Sequence, residues 1–154
     1  MSARKSQKTS ALKGLIMSAL VVSTAQPAMS DDVKSELAKL SGTWIREVDG
    51  KSFIFHFNQE KFASISSHPG ATFATVATVT IDPTKKPKRM DLTFSEATGR
   101  SERLKGATQL DIYELDGDML KFVAPRGAGR PETFPDREVF DGGEYFYVVF
   151  RRAK

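Results

Sequence analysis

Gly42-Thr43-Trp44 is the stretch that decides the fold, because the periodicity of the sequence changes there, at the only tryptophan of the chain. After it, apolar and polar residues alternate as they do in half-buried β-strands. Before it, residues 31–40 have the spacing of a helix with one apolar stripe. Such a short helix is marginal alone, so we expect it to pack against a larger β-structure. The stripe consists of Val33, Leu37 and Leu40.

Eight strand-like runs follow, separated by turn signals such as Asp49-Gly50 and by two longer connections, residues 95–106 and 125–143. Consecutive strands at hairpin spacing predict an all-β, antiparallel barrel or sandwich with a short N-terminal helix. A closed eight-stranded barrel exposes no strand edge, and its interior is filled by side chains or holds one small ligand. The predicted strands are residues 43–48, 52–57, 61–66, 72–81, 90–94, 110–115, 118–124 and 144–151.

Two of these strands carry a local signal. Phe73, Val76 and Val79 do not share one parity, and a bulge within residues 72–81 would bring them to one face. Asp116-Gly117 between two alternating runs predicts a two-residue type I′ turn, which requires positive φ at both central positions.

The first 30 residues have the pattern of a secretory signal peptide rather than of the fold. A basic segment precedes the apolar run 14–22, and small residues follow it. The run is about half the roughly 20 residues that a membrane-spanning helix needs, so we expect no integral membrane segment after cleavage. Ala28 and Ser30 favour cleavage before Asp31, and Ser23 and Ala25 mark a second choice. The predicted mature domain, residues 31–154, is exported to the periplasm, cell envelope or medium.

Charge and cysteine content narrow the function classes. The first 30 residues hold four of the 23 basic residues and none of the 19 acidic ones, so the remaining chain has a net charge of zero. A neutral domain lacks the basic footprint of a nucleic-acid-binding protein. The absence of cysteine excludes disulfides and thiolate metal sites.

The helix leading into Gly42-Thr43-Trp44 resembles the glycine-x-tryptophan entry of lipocalins. In that family the tryptophan packs across the barrel floor and an arginine after the last strand covers it. The resemblance therefore implies a structural role for Gly42 and Trp44, with Arg151 or Arg152 as the covering residue. It also favours a lipocalin-like barrel over a sandwich.

A second resemblance spans most of the predicted mature domain, in residues 40–44, 81–88, 91–94, 112–118, 120–122 and 130–131. The chain is similar to a lipocalin-like domain of planctomycete bacteria, found in secreted proteins and as a module of larger ones, for which no activity is established. The hairpin between Trp44 and Phe53 is shorter than in that pattern. The resemblance implies a fold and no mechanism.

The aromatic content of the strands predicts a barrel that binds a small apolar ligand and needs no cofactor. The alternative is a structural or protein-interaction module of the cell envelope, in which the same side chains fill the barrel. Its partners would then contact residues 85–89 or 125–143. The candidate ligand-binding residues are Phe55, Phe57, Phe94, Ile112, Phe122 and Tyr147.

Catalytic and metal-binding signals are weak. No nucleophile elbow, phosphate-binding loop or dinucleotide fingerprint is present, so we predict no catalytic residue and no enzyme. His56 and His68 are the only histidines, and without cysteine they do not predict a metal site. The basic cluster at residues 85–89 is typical of a solvated loop. Glu114 is the one acid expected to face inward, where a buried carboxylate requires a partner such as arginine.

Overall fold

The computed structural model describes residues 27–127 and 129–154, and most of the predicted signal peptide lies outside them. Eight strands, each paired with its neighbours in chain order, close into an antiparallel barrel, which confirms the predicted lipocalin-like fold. No helix of the described chain is long and apolar enough to cross a membrane. The elements are α1 (Asp31–Leu40), β1 (Gly42–Val48), β2 (Lys51–Asn58), β3 (Lys61–His68), β4 (Ala71–Asp82), β5 (Lys88–Ala97), a 3-10 helix (Gly99–Leu104), β6 (Thr108–Asp116), β7 (Met119–Pro125) and β8 (Tyr145–Arg152).

The hairpin turns differ from the predicted ones in one respect. Asp49 and Gly50 have φ of 48° and 74°, which is the pair of positive values that a type I′ turn requires. Asp116 pairs with Met119 and still belongs to β6, so the turn between β6 and β7 consists of Gly117 and Asp118. Of these two, only Gly117 has positive φ. The prediction for Asp116-Gly117 is therefore wrong in position by one residue and also in type, because a type I′ turn requires positive φ at both central residues.

The predicted bulge in β4 is also wrong. This strand keeps one parity, with Thr75, Ala77, Val79 and Ile81 buried. Val76 lies on the outer face, 45% exposed. The ladder is irregular at this point because Val76 pairs with Glu96 and Ala77 pairs with Phe94. The additional residue is Ser95 of β5, so the bulge belongs to the partner strand.

One end of the barrel is closed by α1 and by the residues around Trp44. The Trp44 ring is fully buried, and its Nε1 donates a hydrogen bond to the Leu40 carbonyl at 2.8 Å. The Arg152 guanidinium lies 4.1 Å from the ring centre and donates to the carbonyls of Ser41 (2.7 Å) and Lys39 (2.6 Å). Arg152 thus satisfies two carbonyl groups at the end of α1 while it covers the tryptophan.

Gly42 packs against Arg152, whereas the neighbouring Arg151 does not take part in closing this end. A Cβ atom at Gly42 would lie 2.9 Å from Arg152 Nη1, and its φ of +124° also favours glycine. Arg151 is exposed, so Arg152 is the covering arginine.

Lys88, from the predicted basic loop, forms an ion pair with Glu36 of α1 at 2.5 Å. Tyr113 donates to the same carboxylate at 3.3 Å, and burial is the first cause of its raised pKa.

The seam between β1 and β8 is paired only near this closed end, at Trp44–Arg152 and Ile45–Arg151. Toward the other end, residues 129–144, which we call the strap, pack along the seam. Glu138 accepts hydrogen bonds from the Arg46 guanidinium (3.1 and 2.5 Å) and from the backbone N–H of Val149 (2.8 Å). The strap therefore provides the partners that β1 and β8 do not provide to each other.

Candidate functional site

A cavity of about 620 Å³ opens at the end of the barrel opposite α1. Its walls come from the second halves of β3, β5 and β7 and from the first halves of β4, β6 and β8. These strand ends meet at one rim because neighbouring strands are antiparallel. Only part of the interior is filled, since the layer at the closed end consists of large buried side chains that include Trp44, Phe57 and Tyr113.

The floor of the cavity is aromatic. The Phe55 ring lies 4.9 Å from the Phe62 ring and 5.0 Å from the Phe122 ring, both edge to face. Phe150 packs beneath Phe55 at 4.3 Å between ring centres. Edge-to-face packing of this kind holds rings in fixed positions. The floor therefore presents an ordered apolar surface to the cavity.

The predicted ligand-binding residues divide into three groups. Phe55, Phe94 and Phe122 line the cavity. Phe57 is buried in the layer beneath and does not line it. Ile112 and Tyr147 form a separate small cluster on the outer face. The prediction that these two residues belong to the interior is wrong.

The reason for this error is that the strap buries part of the outer wall. Phe134 of the strap packs on the cluster of Ile112, Val123 and Tyr147, and its ring centre lies 6.0 Å from that of Tyr147. Apolar side chains on β6 and β8 are therefore buried on both faces of the sheet. Hydrophobicity alone does not distinguish the two faces of such strands.

The buried acid of β6 is Asp111 and not Glu114. Glu114 is exposed and paired with Lys121 at 2.7 Å, so its predicted inward orientation is wrong. Asp111 pairs with the core residue Met90, and directly paired residues of an antiparallel ladder share a face. Both carboxyl oxygens of Asp111 are buried without a hydrogen-bond partner in the described structure.

Arg130 approaches Asp111 only at the backbone. It donates to the Asp111 carbonyl at 2.6 Å and to the Asp91 carboxylate at 2.5 Å. Burial raises the pKa of Asp111 well above its ordinary value, and the contributions of Gln109 and Arg130 that lower it are smaller. This raised pKa favours the neutral acid at Asp111.

A polar band lies above the aromatic floor. Ser64 and Thr75 face each other across β3 and β4, with their hydroxyl oxygens 2.7 Å apart. Ser66 and Gln109 line the cavity near the same level. These residues alternate with outward-facing neighbours in the sequence. On their strands they lie on the same face as the apolar residues Phe62 and Phe94 or pair with that face. This alternation is the sequence signal that could have identified them.

Two arginines, Arg103 and Arg126, stand at the rim. Arg103 lies on the 3-10 helix, which is held in place because Leu104 packs against the core. The sequence predicted an irregular loop over residues 95–106, and this helix and the longer β5 replace most of it. Arg126 donates to the carbonyls of Phe140 at 2.8 Å and Tyr145 at 3.4 Å.

The histidines do not form a metal site. His56 is exposed, with Nδ1 3.0 Å from the Thr43 hydroxyl. His68, the last residue of β3, lies between the rings of Phe53 and Phe73, and its Nδ1 is 4.0 Å from Asp141. Within residues 27–127 and 129–154, no three or more histidine or acidic side chains are grouped to hold a metal ion.

The chain matches no protein-family model, no curated protein and no solved structure. The resemblance to the planctomycete lipocalin-like domain therefore stays a prediction. The candidate site is defined by its own geometry, which is an aromatic floor, a polar band and a basic rim.

Proposed function

We propose that this protein binds a small molecule with an apolar body in the open end of its barrel. The observation that carries the proposal is the cavity of about 620 Å³ above the aromatic floor. Ligand sites commonly enclose about 300–1,000 Å³ and combine apolar walls with a few polar groups. Phe55, Phe94 and Phe122 supply the walls, and Thr75 and Gln109 supply polar groups.

The proposed function is ligand binding without catalysis. The hydroxyl of Ser64, which lines the cavity, has the Thr75 hydroxyl as its partner and no general base. Acyl transfer by a serine requires a base within hydrogen-bonding distance of the nucleophile. The part of the lining that the structure describes also contains no histidine. The described site therefore favours a carrier or sensor over an enzyme.

Filling the cavity tests this function. Ser66 points into it, whereas Ser67 is on the opposite face of the same strand. We expect N-phenylnaphthylamine, a neutral fluorescent probe, to bind wild type and the Ser67→Trp control and to lose most of its affinity for Ser66→Trp. Equal binding to all three proteins, or to none, would refute a ligand site in the barrel. Native mass spectrometry of protein from its own cells then identifies a retained ligand.

We also propose that the protein is exported and that cleavage follows Ala25. Ser30 caps α1, because its hydroxyl accepts from the Val33 N–H at 3.4 Å. Met29 packs against the core. Cleavage before Asp31 would remove both contacts, and loss of an N-cap costs about 1 kcal/mol. The intact mass of exported protein is expected to begin at Gln26, and a mass that begins at Asp31 would contradict this choice.

A second candidate function is an interaction module of the cell envelope. It is favoured by two neighbouring apolar side chains on the outer face of β3 and β4, Ile65 (47% exposed) and Val76 (45% exposed). A small exposed apolar patch is common on monomers, so this observation carries less weight than the cavity. The Ser66→Trp experiment separates the two candidates because it leaves the outer face unchanged.

A further inference from the structure

The charged groups that line the cavity all have one sign. Arg103 and Arg126 contribute guanidinium groups, and among the described residues no aspartate or glutamate contributes to the lining. The two arginines come from different elements, the 3-10 helix and the chain immediately after β7. Their meeting at one rim is therefore a product of the fold and not of a local run of basic residues.

Neither guanidinium is neutralised by an ion pair. The arginines that form ion pairs in the described chain are Arg46, Arg130 and Arg152. Asp141, whose charge acts on Arg126, forms its own ion pair with Lys51. Within the described residues the rim therefore presents two guanidinium groups that have no carboxylate as a direct ion-pair partner.

Arg126 is also fixed in position. Its guanidinium donates hydrogen bonds to the carbonyls of Phe140 in the strap and Tyr145 in β8. It also lies 6.0 Å from the centre of the ring of Phe146, which lines the cavity. Partial desolvation lowers the pKa of Arg126, Asp141 raises it, and Arg103 lowers it again. Both guanidinium groups line the same cavity and the charge of Arg103 acts on Arg126, so an anion bound at this rim would offset their repulsion.

From this arrangement we infer that the ligand is an amphipathic monoanion, with an apolar body on the aromatic floor and a carboxylate at Arg103 and Arg126. A guanidinium matches a carboxylate through paired N–H donors and is less strongly hydrated than an ammonium group. The polar band of Ser64, Ser66 and Thr75 lies between the two parts of the site. This inference rests on the proposed small-molecule function and adds the chemical class of the ligand.

Matched probes test it. Decanoate and decanol have the same chain and differ in the charged head, so we expect calorimetry to show decanoate binding about tenfold more tightly or better, a difference of about 1.4 kcal/mol per factor of ten. Arg103→Gln is expected to weaken decanoate about tenfold and to leave decanol unchanged. Lys105→Gln is the control, because Lys105 is exposed beside Arg103, pairs with Glu96 and does not line the cavity.

Each outcome has one meaning. Equal binding of the two probes, with Arg103→Gln and Arg126→Gln both unchanged, would overturn the anionic ligand and leave the cavity function intact. Failure of wild type to bind either probe or N-phenylnaphthylamine would overturn both proposals. An equal loss in Lys105→Gln and Arg103→Gln would show a general effect of surface charge and would also overturn the inference. Near-ultraviolet dichroism of Trp44 confirms that each variant is folded.

Discussion

The two ends of this barrel differ in whether their charged side chains are paired within the chain. At the closed end Trp44, Arg152, Glu36 and Tyr113 have hydrogen-bond or ion-pair partners within the chain. At the open end Arg103 and Arg126 have no carboxylate partner in the described chain. Charged groups that are paired within the chain stabilise a fold, whereas a charged group without an ion-pair partner in the described chain can pair with a ligand of opposite charge. The closed end therefore contributes stability, and the proposed function places ligand recognition at the open end.

Trp44→Ala is the strongest test of this division. Removing a fully buried tryptophan leaves a large void, and we expect the free energy of unfolding to fall by about 3–5 kcal/mol. Urea denaturation measures it. Ser66→Ala, a truncation in the cavity wall, is the control and is expected to change stability by less than about 0.5 kcal/mol. Equal losses at the two positions would contradict the division.

The two final arginines sharpen the comparison. Arg152→Met removes charge-assisted hydrogen bonds to two carbonyls and the contact with Trp44, so we expect a loss of about 2–3 kcal/mol. Arg151→Met, at an exposed neighbouring position, is expected to stay within about 0.5 kcal/mol of wild type. The same denaturation experiment compares them. A larger effect at Arg151 would reverse the assignment of the covering residue.

Substitution of Asp111 is expected to change the free energy of unfolding least, and to raise it rather than lower it. The pKa of Asp111 is raised in the folded protein, so its contribution to the free energy of unfolding is greatest below about pH 4, the unfolded value, and is lost as the pH rises through the folded value. Asp111→Asn removes this pH dependence and is expected to stabilise the protein at neutral pH by on the order of 1–2 kcal/mol. Unfolding at several pH values measures it, with exposed Glu114→Gln as the control. A wild type whose stability rises with pH over this range, with Asp111→Asn showing the same slope, would contradict the argument.

The closed end could be predicted from sequence because its determinants are contiguous. The α1 stripe, Gly42 and Trp44 occupy one short segment, and helix boundaries and strand alternation follow from local periodicity. Arg152 was one of two neighbouring candidates. Only three-dimensional contacts with Ser41 and Lys39 distinguish it from Arg151.

The open end could not be predicted in the same way, because its residues are assembled from separate elements. The sequence places Arg103 in a long connection and Arg126 in a glycine-rich one, and nothing local indicates that they share a rim. The errors at Ile112, Tyr147 and Glu114 have one common cause. The strap makes the outer wall apolar, so the rule that apolar residues face inward fails on β6 and β8.

The short seam between β1 and β8 has a consequence for how the chain folds. Every other strand pair joins strands that are consecutive in the chain, and the longest of these connections is the 19 residues between β7 and β8. Closure instead unites groups 111 residues apart, Arg152 and Ser41, and the entropic penalty of that loop is the largest in the topology. Trp44 lies at this junction and is the only tryptophan of the chain. Its fluorescence during refolding therefore reports the moment at which the ends of the sheet meet.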